Sequence, residues 1–238
     1  MDEELLTGGG LNEVVRVGST VRRPAGPWAP RVHELLRRLA PLGFTPEVHG
    51  IDPEGREVLG YLPGEVGHPP LSEALRSEET LVAYARMMRR LHDASVSMVG
   101  TDGWQLPTLE PAEVVCHGDL APYNVVFAGG LPVGVIDWDT AHPAPRWWDV
   151  AYAVYCLAPF SPEWGTPESR WQRAELFCSE YGCPSEGIAD HVLTRLADMV
   201  RTIRENPAFH VQRAEKHDEY YLSHVEHIRA GRAVLAYR

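Results

Sequence analysis

The sequence predicts an α+β chain of two lobes: a small antiparallel β-rich N-terminal lobe with one helix, and a larger, mainly helical C-terminal lobe. Three observations predict it. Up to residue 62, short apolar runs alternate between glycine and proline punctuation. Residues 63–70, "PGEVGHPP", then crowd three prolines and two glycines into eight positions, the composition of a connector. From residue 71 to 238, apolar residues recur mostly at helical spacing over long segments. The expected division is therefore 1–62, 63–70 and 71–238.

The elements follow in order. "GGGLNEVVRVGSTVRRP" (8–24) reads as a hairpin turning at Gly18–Ser19. In "PRVHELLRRLAPLGF", Val32, Leu35, Leu36 and Leu39 fall on one helical face, with Pro30 near the start. "EVHGI" and "REVLGYL" flank the turn "DPEG" as a second hairpin. Ser77 is placed to cap "EETLVAYARMMRRLHDAS", whose first turn is acidic. Three short strands follow within 115–139, then four helical segments from Arg146 onward.

Composition narrows the function classes. A net charge of −11 argues against nucleic-acid binding, which relies on basic surface. No apolar run approaches the length of a membrane span, and the acidic start lacks the pattern of a secretory signal, so a cytoplasmic protein is expected. Four cysteines without CxxC spacing point to reduced thiols. Residues 101–158 hold seven acids against one base, whereas 159–238 hold twelve acids and ten bases. Lys216 is the only lysine in the chain.

The acid-rich segment contains "VCHGDLAPYNVVFAGGLPVGVIDWD" (115–139). Two glycines between β-rich arms predict a hairpin. With Gly130 and Leu131 at its centre, Asn124 falls opposite Asp137. An amide oxygen and a carboxylate at its open end are hard ligands that suit Mg²⁺, and Asp119, five residues before Asn124, lies on a loop close enough to point to the same place.

The spacing H-G-D-x-x-x-x-N followed by a strand ending in I-D resembles the catalytic and metal-binding loops of kinase-like phosphotransferases, and is most similar to the aminoglycoside phosphotransferase and choline kinase-like family. The resemblance implies a protein-kinase-like two-lobe fold. It also implies an ATP- and Mg²⁺-dependent transfer of the γ-phosphoryl group to a hydroxyl of a small molecule, with GTP open as the donor. Asp119 would be the catalytic base or orienter, Asn124 and Asp137 the magnesium ligands, and His117 a brace for the loop. Adenine would meet the backbone of Gly60, Tyr61 and Leu62. Asp139 is left between the metal site, acceptor binding and a structural role. Asp149 reads as a helix N-cap or a loop brace rather than a catalytic residue.

Two departures from the family pattern stand out. The N-terminal lobe has no lysine to hold the nucleotide's phosphates. Strand alternation places Val21 and Arg23 on one face, so Arg23 takes that position, with Glu34 on the following helix as its partner. The glycine loop is reduced to "TGGGLNE". These departures raise the alternative of a nucleotide-binding pseudokinase. The short run from Asp137 to Arg146 leaves no room for an activation segment, which argues against a protein kinase. The acceptor, an antibiotic or a metabolite, stays open. His210, His217, His224 and His227 read as packing or solvated residues, and Trp147, Trp148, Tyr152 and Tyr155 as core.

Overall fold

In the computed structural model, residues 3–6, 14–160 and 164–235 are described. The "TGGGLNE" segment lies outside them. The chain separates into two compact units, 1–146 and 147–238.

The first unit opens with a five-stranded antiparallel sheet. Its strands are β1 (Glu3–Leu6), β2 (Val14–Val17), β3 (Thr20–Pro24), β4 (Val48–Ile51) and β5 (Arg56–Gly60), ordered β1-β2-β3-β5-β4. Strand β1, absent from the sequence reading, pairs with β2 through Leu5 and Val15. Asp52 holds the β4–β5 turn by accepting from the backbone N–H groups of Glu54 at 3.1 Å and Arg56 at 2.8 Å. Helix α1 (Ala29–Leu39) follows β3 with Pro30 in its first turn, and buries Val32, Leu35, Leu36 and Leu39 along the predicted stripe. His33 is buried beside that stripe, while Glu34 falls on the opposite, exposed face.

Inside the expected connector, β6 (Glu65–Val66) forms a short strand against β8 (Val125–Ala128). Helix α2 (Glu78–Ser95) begins where the sequence places its cap, with Ser77 Oγ accepting from the Thr80 N–H at 3.1 Å. It buries Leu81, Tyr84, Met87, Met88 and Leu91. Strand β9 (Leu131–Val135) closes a three-stranded sheet, β6-β8-β9, and β7 (Val114–Cys116) pairs with β10 (His142–Ala144).

The β8–β9 register differs from the expected one. Ala128 pairs with Leu131, so Gly129 and Gly130 make the turn, both with positive φ, at 57° and 82°. A bulge between Val126 and Phe127 then shifts the pairing, and Val125 faces Val135. Asn124 is therefore level with Ile136 rather than Asp137, and its carbonyl accepts from the Ile136 N–H at 2.9 Å.

The second unit is helical: α3 (Trp147–Leu157), α4 (Pro167–Tyr181), α5 (Ile188–Glu205), α6 (His210–Ala214) and α7 (His217–Leu235). Thr166 and Ser169 form a reciprocal cap at the start of α4, and Gly182 in the left-handed conformation ends it. Asp149 lies buried inside the first turn of α3 rather than preceding it, where its charge complements the helix dipole. Tyr152 and Trp148 are buried, as is Tyr155, whose hydroxyl is 2.7 Å from His224 Nδ1. Arg170 NH1 lies 3.0 Å from His227 Nε2 and His217 lies 3.3 Å from Glu215, so His217, His224 and His227 serve separate contacts. Among the described residues no helix is long and apolar enough to cross a membrane.

Candidate active site

The loop between β7 and β8 is held by its own side chains and by the segment after β9. His117 Nε2 lies 2.9 Å from the Ile136 carbonyl, and its Nδ1 accepts from the Asp119 N–H at 3.3 Å. One tautomer, with the proton on Nε2, satisfies both contacts. The His117 ring also packs against Trp138, with centroids 4.7 Å apart, and the Trp138 indole N–H donates to the Val135 carbonyl at 3.0 Å. Gly118 has φ +83°, and a Cβ there would come within 2.4 Å of the Thr140 carbonyl oxygen. Both the left-handed backbone and that approach demand glycine. Thr140 Oγ1 donates to the His117 carbonyl at 2.9 Å, clamping the loop against the turn after β9.

Asp119 and Asn124 form one polar unit. Asn124 Nδ2 donates to the Asp119 carbonyl at 2.9 Å and to its Oδ2 at 3.0 Å, while the Tyr123 hydroxyl donates to Asp119 Oδ1 at 2.8 Å. Both carboxylate oxygens are thereby oriented. With its amide nitrogen committed to Asp119, Asn124 keeps its amide oxygen as an acceptor or metal-ligand atom.

Asp137, two residues after β9, has φ 60° and ψ 62°, a left-handed conformation that costs a non-glycine residue about 1 kcal/mol. The conformation turns the chain sharply into the 138–140 segment, so that Asp137 and Asp139 both face Arg23. Asp137 is half exposed. Its carboxylate and the Asn124 amide oxygen are hard oxygen groups of the kind that suit Mg²⁺.

Arg23, on β3, meets three carboxylates with its three nitrogens. Nε donates to Glu57 Oε1 at 2.5 Å, NH1 to Asp137 Oδ1 at 2.6 Å and NH2 to Asp139 Oδ1 at 2.5 Å. Burial alone would lower the arginine's pKa, but the charges of Glu57, Asp137 and Asp139 outweigh it and hold the guanidinium protonated. Asp139 is pushed above the ordinary carboxylate value by burial, aided by Asp137 and Glu57 and opposed by Arg23. Arg22, its neighbour on β3, makes no ion pair among the described residues, and its buried Nε has no partner.

The expected Arg23–Glu34 pair does not form. Glu34 faces outward and pairs with Arg31 one turn earlier. The partner is Glu57, directly across the β3–β5 ladder from Arg23, and its second oxygen, Oε2, lies 2.9 Å from His33 Nε2. Burial would raise Glu57, yet the His33 hydrogen bond and the Arg23 charge hold it below its ordinary value. Glu57, His33, Tyr123 and Trp138 were not singled out from the sequence. A signal existed for the first two: Glu57 is in strand phase with Leu59 and His33 in helical phase with Leu36, so both sit where apolar residues are expected.

At Gly60, Tyr61 and Leu62, two N–H groups are already engaged. Gly60 donates to the Glu47 carbonyl and Tyr61 to the Ser19 carbonyl, both at 2.8 Å. Among the described residues the Leu62 N–H has no hydrogen-bond partner. The Leu62 side chain lies over Gly134, where a Cβ would meet it at 2.5 Å.

Residues 101–182 match the family described as phosphotransferase enzyme family. The trifolitoxin immunity protein of Rhizobium leguminosarum bv. trifolii is 35% identical over 213 residues, covering 81% of this chain and 80% of that protein. An aminoglycoside 3'-phosphotransferase of Escherichia coli is 34% identical over 90 residues, 34% of this chain and 33% of its own length. Among solved structures, an amicoumacin kinase in complex with AMP-PNP, Ca²⁺ and Ami superposes with a TM-score of 0.66 at 13% identity, covering 95% of this chain and 87% of that one. That likeness bears out the kinase-like fold, with its antiparallel N-terminal sheet and mostly helical remainder. The local geometry of 117–139 and the relationship to the immunity protein lead to one assignment: the chain belongs to the phosphotransferase enzyme family.

Proposed function

We propose that the protein is an ATP- and Mg²⁺-dependent O-phosphotransferase that moves the γ-phosphoryl group to a hydroxyl of a small molecule. The observation that carries this reading is the Asp119 carboxylate, oriented on one oxygen by Tyr123 and on the other by Asn124. In this reading Asp119 positions the acceptor hydroxyl and takes its proton as the new oxygen–phosphorus bond forms and the bond to the leaving nucleoside diphosphate breaks. Asn124 and Asp137 would hold Mg²⁺, which when bound neutralises charge on the donor's phosphates. Arg23 keeps one N–H on each terminal nitrogen beyond those given to Asp137 and Asp139, and these would meet a phosphate oxygen. Adenine would use the Leu62 N–H and the carbonyls of 60–62. Residues 1–62 would serve the nucleotide, and 71–238 the catalytic loop and the acceptor.

The acceptor is proposed to be a small hydroxylated antimicrobial, so that transfer inactivates it. The related immunity protein supports that choice through its name. The near balance of charge over 159–238 gives no preference for a polycationic acceptor. The reaction would run in the cytoplasm, where ATP and Mg²⁺ are supplied.

One observation favours a nucleotide-binding protein with weak transfer: Arg23 already neutralises both Asp137 and Asp139, so a metal ion must compete with a guanidinium for the first of them. Calorimetric titration with ATP or GTP, with and without Mg²⁺, followed by turnover over a panel of hydroxylated antimicrobials and metabolites, separates the two. Transfer that Asp119→Asn abolishes is the expected result. Binding without transfer to any acceptor would favour the pseudokinase, and no nucleotide binding would overturn both.

A further inference from the structure

We propose that Glu57 and His33 form a buried anchor that fixes the Arg23 guanidinium with its terminal nitrogens facing the site, which makes His33 a positioning residue for nucleotide binding. The proposal rests on the reading of Arg23 as the phosphate-holding cation.

A lysine ammonium is a compact charge whose direction is unimportant, whereas a guanidinium is a planar fork that serves a phosphate only in one orientation. An arginine on a strand, held by its terminal nitrogens alone, could swing about its long side chain. A third contact at Nε removes that freedom. Glu57 supplies it from the position directly opposite Arg23 in the β3–β5 ladder, so no flexible segment intervenes.

The anchor is expensive to build, which argues against an incidental contact. Glu57 is 2% exposed and His33 3%, and a carboxylate buried to that degree is tolerated only when its oxygens are hydrogen-bonded. Each Glu57 oxygen has its own partner, Arg23 on one side and His33 on the other. His33 comes from α1, one residue before the outward-facing Glu34. The helix thus reaches the site cation through a histidine and a strand carboxylate rather than through a carboxylate of its own.

If His33 acts through Arg23, its removal is felt only while Arg23 is present. Affinity for a non-hydrolysable ATP analogue with Mg²⁺ is measured by calorimetry in wild type, His33→Leu, Arg23→Met and the double variant. Loss of a hydrogen bond to a charged group is expected to weaken affinity about tenfold in the wild-type background and less than about twofold in the Arg23→Met background. His33→Gln, which keeps a donor toward Glu57, is expected to restore affinity to within about threefold of wild type. Equal weakening in both backgrounds would make His33 a packing residue and overturn the proposal, as would full affinity in His33→Leu. Should His33→Leu fail to fold, Glu57→Gln in the same two backgrounds provides the same cycle. Failure of the wild type to bind the analogue would instead overturn the reading of function, and this proposal with it.

Discussion

The loop from His117 to Asn124 and the strand from Thr20 to Pro24 both deliver charge to the candidate site, and they are held in opposite ways. In the loop, Asp119 is oriented by Tyr123 and Asn124, four and five residues away. In the strand, the partners of Arg23 lie 34, 114 and 116 residues away. The Asp119 carboxylate is thus oriented within its own loop, which the turn at 138–140 clamps from outside, whereas the strand's cation is placed only once the sheet, α1 and the segment after β9 have assembled. Changes in the loop should therefore alter chemistry, and changes around Arg23 should alter stability and nucleotide affinity together.

The largest expected effect tests the first half of that contrast. Asp119→Asn should lower turnover by about 10²- to 10⁴-fold in a steady-state assay, while nucleotide affinity and melting temperature stay close to wild type. A variant that loses stability instead would show the loop to be a structural element. Next in size, Arg23→Met leaves Glu57 buried with His33 alone and leaves Asp137 and Asp139 repelling each other. It should cost about 3 kcal/mol in urea unfolding as well as weakening nucleotide binding. Arg22→Met should do neither, and the reverse ranking would mean that the strand faces are assigned wrongly.

Gly118→Ala probes where the two regions depend on the same turn. The new methyl group meets the Thr140 carbonyl in a left-handed backbone, so a loss of about 2 kcal/mol or more is expected in thermal unfolding. A smaller effect is expected from pH. Glu57 titrates below its ordinary value of 4.5 in the folded protein, so its stabilising contribution is complete above that value and lost as pH falls through the folded one. Acid unfolding of the wild type should steepen below about pH 4.5, and Glu57→Gln should flatten that limb. An unchanged limb would mean that other carboxylates dominate it.

The same contrast explains what could be read in advance. The H-G-D and Asn positions, the helical stripe of Val32, Leu35, Leu36 and Leu39, and the Ser77 cap depend on residues within a few positions of one another, so periodicity and spacing reveal them. Glu34 as partner of Arg23 was a local guess about a long-range contact. It failed because the inward face of α1 carries His33, and Glu34 points the other way. The hairpin register failed by one residue because two glycines permit the turn at Gly129–Gly130 and a bulge then displaces the pairing, neither of which alternation alone can specify.

By itself, then, the sequence determined most of the strands and helices in their order, though not β1, β6, β10 or α6, and the acid-bearing loop, because hydrophobic period, caps and motif spacing act over a few residues. Only the tertiary structure decided which carboxylates Arg23 meets and that a buried histidine stands behind one of them. Those contacts join segments from opposite ends of the first unit, and their geometry exists only after the β3–β5 ladder and the left-handed turn at Asp137 have brought them together.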